Sequence, residues 1–284
     1  MDESSHAEPA PPEVDTSVAH SARVYNWMLG GKDNFAADRA MGEAMLQLYP
    51  AAREMVWQNR RFVGRAVRYL VGEGVRQFLD IGTGIPAAGN THEVAQEIAP
   101  AARVVYVDND PIVLAHARAL LVSGERGRTD YIHADLREPD VILGDPAVAA
   151  TLDLSQPVGL MIVAVLHNLS DDDAPVEKVR TVMDALPSGS YLVLTHPTGD
   201  AHDPETVDRA VTTGASGGMP VLLRTRSQVE RFFGDWQLVD PGLVPVRAWR
   251  PDTGPPIEVG TDTPTATPAD AGTVGYWAGV ARKP

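Results

Sequence analysis

Val75-Arg76-Gln77-Phe78-Leu79-Asp80-Ile81-Gly82-Thr83-Gly84 reads as a buried strand that ends in an acid and turns through two glycines. A helical pattern begins at about Asn90. Strand, tight turn and helix in that order open an α/β nucleotide-cofactor site. Glycines at such a turn let the backbone bend sharply and approach a ligand with no Cβ in the way. Asp80, two residues before Gly82, stands at the mouth of the turn. A carboxylate there repels a pyrophosphate and attracts an ammonium or sulfonium group.

The turn alone leaves two cofactors open, because Gly82-Thr83-Gly84-Ile85-Pro86-Ala87 also fits the looser dinucleotide fingerprint. The next strand narrows the choice. Arg103-Val104-Val105-Tyr106-Val107 is apolar and β-prone and ends at Asp108-Asn109-Asp110. Asp108 lies 26 residues after Gly82, near the spacing at which an acid meets a ribose diol. A carboxylate accepts two hydroxyl hydrogen bonds, so Asp108, with Asn109 beside it, suits a ribose. Asp110 directly precedes Pro111 and suits a helix cap instead. S-adenosylmethionine carries the ribose, the ammonium and the sulfonium that this set of acids would attract.

Composition sets the outer limits. The 284 residues suffice for one large or two small domains, and 44% hydrophobic content supports an ordinary core. With no cysteine there is no disulfide, thiolate nucleophile or Cys-containing zinc site, which fits a cytoplasmic protein. No apolar run is long enough to span a bilayer, and no charged-then-apolar signal segment opens the chain. A formal charge of −14 disfavours a nucleic-acid partner unless a local basic patch exists, and makes a small molecule or a cationic partner more natural.

Residues 1–17, rich in Ala, Pro, Glu and Ser, read as a disordered tail. Residues 18–72 read as an N-terminal helical lid, broken at Gly30-Gly31-Lys32-Asp33-Asn34. Residues 73–284 alternate strands and helices, which implies a doubly wound parallel sheet covered on both faces. Strands are expected at 76–80, 103–107, 129–133, 158–164, 189–195, 236–244 and 273–281, the last two paired antiparallel across a Pro/Thr/Gly/Asp-rich connection at 251–272. Asn90 with Glu93 three residues on is a variant of the capping box.

Further candidates lie just past the later strands. Asp135, after Tyr131-Ile132-His133-Ala134, falls at the carboxyl edge where doubly wound sheets bind ligands. It either accepts an adenine amine or pairs with Arg137. His167, in Leu166-His167-Asn168 after the fourth strand, acts as a general base, orients a substrate, or bonds only a loop backbone. The acid run Asp171 to Asp173 favours a helix N-terminus over a metal site. His196 and His202 are weaker candidates of the same kind. His92-Glu93 lacks the second His of a zinc-protease motif, and no metal site is expected.

Asp80-x-Gly82-x-Gly84, then strand-Asp108, then Ala134-Asp135, then Leu166-His167-Asn168 resembles a class I S-adenosylmethionine-dependent methyltransferase. Ser21-Ala22-Arg23-Val24-Tyr25-Asn26-Trp27, Leu29-Gly30-Gly31-Lys32-Asp33-Asn34-Phe35 and Asn90-Thr91-His92-Glu93 are similar to one family of S-adenosyl methyltransferases long carried as a domain of unknown function. The resemblance covers roughly residues 18–284. It implies a Rossmann-like sheet of seven strands with the last antiparallel. It also implies that Asp80, Gly82, Thr83 and Gly84 line the methionine end of S-adenosylmethionine, Asp108 the ribose, and Asp135 with Leu136 the adenine. The backbone at Ala164 would pass beneath the sulfonium. Ile85-Pro86-Ala87 stands where the superfamily often has a third glycine, so the loop is longer and the helix starts later.

The expected activity is methyl transfer to a small-molecule acceptor, with Tyr25, Asn26, Lys32, Asp33 and Asn34 either completing the pocket from the lid or forming an inter-helix loop. A rival is a non-catalytic S-adenosylmethionine-binding module. An NAD-dependent oxidoreductase shares the turn and the ribose acid, but Asp80 and the terminal antiparallel strand oppose it.

Overall fold

The alternating pattern builds a sheet sandwiched between two layers of helices. The computed structural model describes residues 15–120, 126–251 and 275–284, so most of the expected tail and of the 251–272 connection lies outside the described residues. Three helices lead the chain: α1 (Ser21–Met28), α2 (Ala36–Leu48) and α3 (Ala52–Gly72). The expected break at Gly30–Asn34 separates α1 from α2, and Tyr49-Pro50-Ala51 makes a second break before α3.

The sheet then forms in order. Strands β1 (Gln77–Ile81), β2 (Arg103–Asp108) and β3 (Arg128–His133) alternate with helices α4 (Thr91–Ile98) and α5 (Pro111–Leu120). Two short helices, α6 (Pro139–Gly144) and α7 (Pro146–Thr151), precede β4 (Gly159–Val163). Helix α8 (Pro175–Ala185), β5 (Tyr191–Pro197), α9 (Pro204–Ser216) and α10 (Arg226–Glu230) come next, and β6 (Gln237–Leu238), β7 (Val244–Pro245) and β8 (Tyr276–Arg282) close the sheet. Glu93 accepts from the Asn90 amide at 3.1 Å, which completes the expected capping box of α4.

Strand order is β3-β2-β1-β4-β5-β8-β6, with β7 also on β8. β1 through β5 run parallel, and β8 lies antiparallel to β5. Order reverses between β1 and β4, so the crevice at their carboxyl ends is the ligand position of a doubly wound sheet. The single strand expected over 236–244 is divided into β6 and β7, giving eight strands among the described residues. Pro241 and Gly242 form a turn between them, with the Gly242 amide on Val239 O at 2.7 Å, and proline has no N–H for a ladder. α6 and α7 are not in the sequence expectation, although Glu138-Pro139 and Asp145-Pro146 stand at their starts. The Asp145 carboxylate accepts from the Ala147 amide at 2.8 Å, with proline at the first helical position.

One sheet face is covered by α3 and α4, where Phe62, Leu70, Phe78, Tyr106 and Trp249 are fully buried. The other is covered by α6 to α8 and the 231–233 turn, around Leu79, Val105, Leu160 and Phe233. Among the described residues no helix is long and apolar enough to cross a membrane.

The N-terminal helices are tied to the sheet by charge. Asp110, which caps α5 through the Ile112 amide at 2.9 Å as expected, also accepts from Arg23 Nε at 3.1 Å, and both side chains are buried. Asp38 joins the start of α1 to that of α2, accepting from the amides of His20 at 2.9 Å and Phe35 at 2.8 Å. Removing one partner of a buried pair leaves the other charge unpaired. Asp110→Ala is therefore expected to lower unfolding stability by about 3–5 kcal/mol in urea titration, whereas a change below about 1 kcal/mol would mean that the pair does not hold α1.

Candidate active site

The site begins at the turn after β1. The amides of Gly82 and Thr83 reach back to Val107 O at 2.8 and 3.3 Å, which stitches the turn to β2. Gly82 and Gly84 take φ of 72° and 67°, the left-handed region that glycine adopts without penalty. A Cβ on Gly82 would also run into a Val165 methyl, so the turn can pass the segment after β4 only without a side chain.

Asp108, 6% exposed, ties this turn to the start of α5. One of its oxygens accepts from the Gly84 amide at 2.7 Å and the other from the Asp110 amide at 2.9 Å. Burial raises its pKa above the ordinary carboxylate value. Asp80 accepts from the Thr91 hydroxyl at 2.6 Å, and burial pushes its pKa up to about 6, against the opposing pull of Thr91 and Arg60. Asp135 accepts from Asn109 Nδ2 at 2.7 Å and from Arg137 at 3.0 Å, so its pairing with Arg137 is real, while it still faces the cavity. Ala164, just past β4, has φ of 55°, strained for a residue with a Cβ. Its amide is held by Thr195 Oγ1 at 3.0 Å.

These groups share one cavity of about 480 Å³, within the small-molecule range. Asp80, Gly82, Thr83, Gly84, Asp108 and Asn109 line it, as do Asp135, Leu136, Ala164, His167 and Tyr25. Asn26, Lys32, Asp33 and Asn34 are not in its wall, which corrects the pocket expectation for them. Asn26 Oδ1 is used instead to fold the inter-helix loop, accepting from the Asp33 amide at 3.1 Å and from Asn34 Nδ2 at 3.0 Å.

His167 sits in the wall with Nδ1 buried and unpartnered among the described residues. Burial first, then Arg224, lowers its pKa to about 4, so the ring is neutral at pH 7. Arg224 fixes the turn that carries it by donating to Leu166 O at 2.8 Å and Leu169 O at 3.0 Å. His196 is fully buried outside the wall, bonded to Pro197 O and Arg224. His202 is in the wall and meets the Tyr49 ring edge-on at 4.6 Å. Sequence reading missed Arg224, Asn59 and Arg60. Arg60 donates to Ala87 O at 2.7 Å and to Asn90 Oδ1 at 2.9 Å, and so orders the long loop before α4. Those partners are 27 and 30 positions away, beyond any local pattern.

The fold, the glycine turn at the strand-order reversal and the row of carboxylates are those of a methyltransferase that uses S-adenosylmethionine. A family model described as S-adenosyl methyltransferase matches residues 7–284, and the chain belongs to that family. A DUF574 family protein from Streptomyces avermitilis MA-4680 is 44% identical with a TM-score of 0.87, covering 96% of this chain and 100% of its own. A protein from Thermobifida fusca YX, named as a candidate methyltransferase, is 41% identical with a TM-score of 0.82, covering 96% of this chain and 98% of its own. No curated protein matches the chain significantly.

The two glycines of the turn differ in what they need. Gly84 has open space where a Cβ would go, so Gly84→Ala is expected to cost only the left-handed penalty of about 1–2 kcal/mol. Gly82→Ala adds overpacking against Val165 and is expected to cost about 2–5 kcal/mol in all, read by thermal or urea unfolding. Equal losses for the two would contradict the close passage of the turn beneath Val165.

Proposed function

We propose that this methyltransferase acts on a small-molecule acceptor held in the apolar half of the same cavity. The observation that carries the reading is the division of that cavity. Its charged wall residues gather where the carboxyl ends of β1, β2 and β3 meet Arg60 and Arg137, while α1, α3, α9 and the 219–223 segment close the rest with apolar side chains. A cavity of this size with a largely apolar lining suits a small acceptor.

The residues present fit the cofactor. Asp108 has lone pairs remaining for ribose hydroxyls after its two amide bonds, and Asp135 with the Leu136 backbone stands where adenine would be read. Asp80, Gly82, Thr83 and Gly84 would hold the amino-acid end, with the strained Ala164 backbone beneath the sulfonium. The open space where a Gly84 Cβ would go leaves room at the turn, and a carboxylate lining suits a cationic ligand and opposes a pyrophosphate. When bound, S-adenosylmethionine supplies an electrophilic methyl group. The chain's part is to bring the acceptor atom into line and to exclude water. His167, neutral and a weak base, orients the acceptor by accepting a hydrogen bond rather than by taking a proton early. The helices α1 to α3 act as the lid over this space. The rival reading, binding without turnover, is decided by single-turnover assay across neutral hydroxyl and amine compounds.

Asp108→Ala is expected to weaken S-adenosylmethionine binding by about 1.5–3 kcal/mol in calorimetric titration of the folded variant, the scale of hydrogen bonds to a charged group. Unchanged affinity would remove the ribose assignment. Asp80 adds a pH dependence. In the free protein its carboxyl is protonated below about pH 6, and a cationic ligand needs it ionised. Affinity should therefore tighten about tenfold from pH 5 to pH 7 and then level, and Asp80→Asn should flatten the curve. Affinity that weakens with rising pH over this window would contradict the pairing.

A further inference from the structure

Polar side chains interrupt the apolar half of the cavity at Tyr49, His202 and Thr206 and, as a group, on α1, α3 and the first residue of β8. Tyr25 Oη lies 3.2 Å from Val56 O, and a carbonyl can only accept, so the tyrosine donates there. Its oxygen must then accept from Asn59, 3.0 Å away, which fixes the Asn59 amide with Nδ2 toward Tyr25. Asn59 Oδ1 is left as an acceptor with no partner among the described residues, on a side chain 1% exposed that lines the cavity. A buried acceptor left unmade is costly, which marks it as awaiting a donor.

Tyr276 supplies the complementary half. It lines the same cavity, and its hydroxyl makes no hydrogen bond to a described residue. Burial and the nearby Tyr25 raise its pKa, so it stays a protonated donor. Around the pair, Met28, Met55, Val56 and Val63 from the helices and Met219 from the far wall are apolar, and the thioethers adapt to irregular shapes. Arg60, Asp80, Asp108, Asp135 and Arg137 are the Asp, Glu, Lys and Arg residues of the wall; the carboxylates and Arg137 stand toward the cofactor, while Arg60, next to Asn59 and within electrostatic reach of Tyr25, is already engaged with Ala87 O and Asn90 Oδ1. A charged group in the apolar half would be buried unpaired.

Resting on the methyltransferase reading, we propose that the acceptor is an uncharged, largely apolar molecule carrying a neutral donor–acceptor group, an amide or hydroxyl, that docks between Asn59 Oδ1 and the Tyr276 hydroxyl. The group donates to Asn59 and accepts from Tyr276. This docking group is distinct from the atom that receives the methyl, which faces Ala164 and His167.

Three probes of one shape test this on the full chain saturated with S-adenosylhomocysteine: 2-naphthamide, 2-naphthoate and naphthalene, titrated by ligand-observed NMR. The amide is expected to bind at least tenfold tighter than the carboxylate and severalfold tighter than naphthalene. Asn59→Ala and Tyr276→Phe should each bring the amide to within about twofold of naphthalene and leave S-adenosylhomocysteine affinity unchanged, since neither residue is placed at the cofactor. Tyr276→Phe removes only an oxygen and serves if Asn59→Ala does not fold. Carboxylate binding as tight as the amide, an amide preference that survives the folded variants, or no binding of any probe beside normal S-adenosylhomocysteine binding would each overturn the proposal. Failure of S-adenosylhomocysteine itself to bind would instead strike the cofactor reading on which it rests.

Discussion

The carboxylate of Asp108 is the constraint on which the site depends. It ends β2, yet its two oxygens hold backbone amides from both sides, Gly84 in the turn after β1 and Asp110 at the start of α5. The turn that would face a ligand is therefore shaped by the neighbouring strand. Val107 O, one residue earlier, takes the amides of Gly82 and Thr83 and completes the stitch. A buried carboxylate with so few donors keeps unused accepting capacity, and that surplus is what a pair of ribose hydroxyls would satisfy. The shape of the turn and the proposed recognition of the ribose thus fall on the same group.

From that point the cavity divides by electrostatics. Carboxylates crowd the strand ends, and burial raises the pKa values of Asp80 and Asp108, so their negative charge is disfavoured in the empty site and would be restored by a cationic ligand. The N-terminal helices bring the opposite character. α3 is long enough to serve twice, packing Phe62 and Leu70 on the sheet while Met55, Val56 and Asn59 face the cavity. Its companion α1 is held by the buried Arg23–Asp110 pair, so the residue that caps α5 also anchors the helix carrying Tyr25. Placement of the helical wall of the cavity is in this way linked to the same β2 end that shapes the glycine turn.

Much of this was legible in the sequence because the informative signals are local. The Asp80-x-Gly82-x-Gly84 turn, the strand running into Asp108, the Asn90–Glu93 cap and the Asp110-Pro111 helix start each lie within a few residues. What was not legible depends on distant partners. The pattern leaves Asn26 open between pocket and inter-helix loop, and only the fold shows its side-chain oxygen taken by Asp33 and Asn34 across the loop. Arg60 and Arg224 act on segments that only the fold brings near. His167 was legible as a cavity residue, but its weak basicity arises from burial and from Arg224, neither of which a pattern can show. The expected strand over 236–244 failed for a local reason that had been visible, the Pro241-Gly242 turn inside it.

A crystal structure of the full chain with S-adenosylhomocysteine tests the central claim most directly. The account predicts both ribose hydroxyls within hydrogen-bond distance of Asp108, its bonds to Gly84 and Asp110 retained, and the amino-acid end of the ligand toward Asp80. A ligand whose ribose lies elsewhere, with Asp108 bonded only to the two amides, would contradict it.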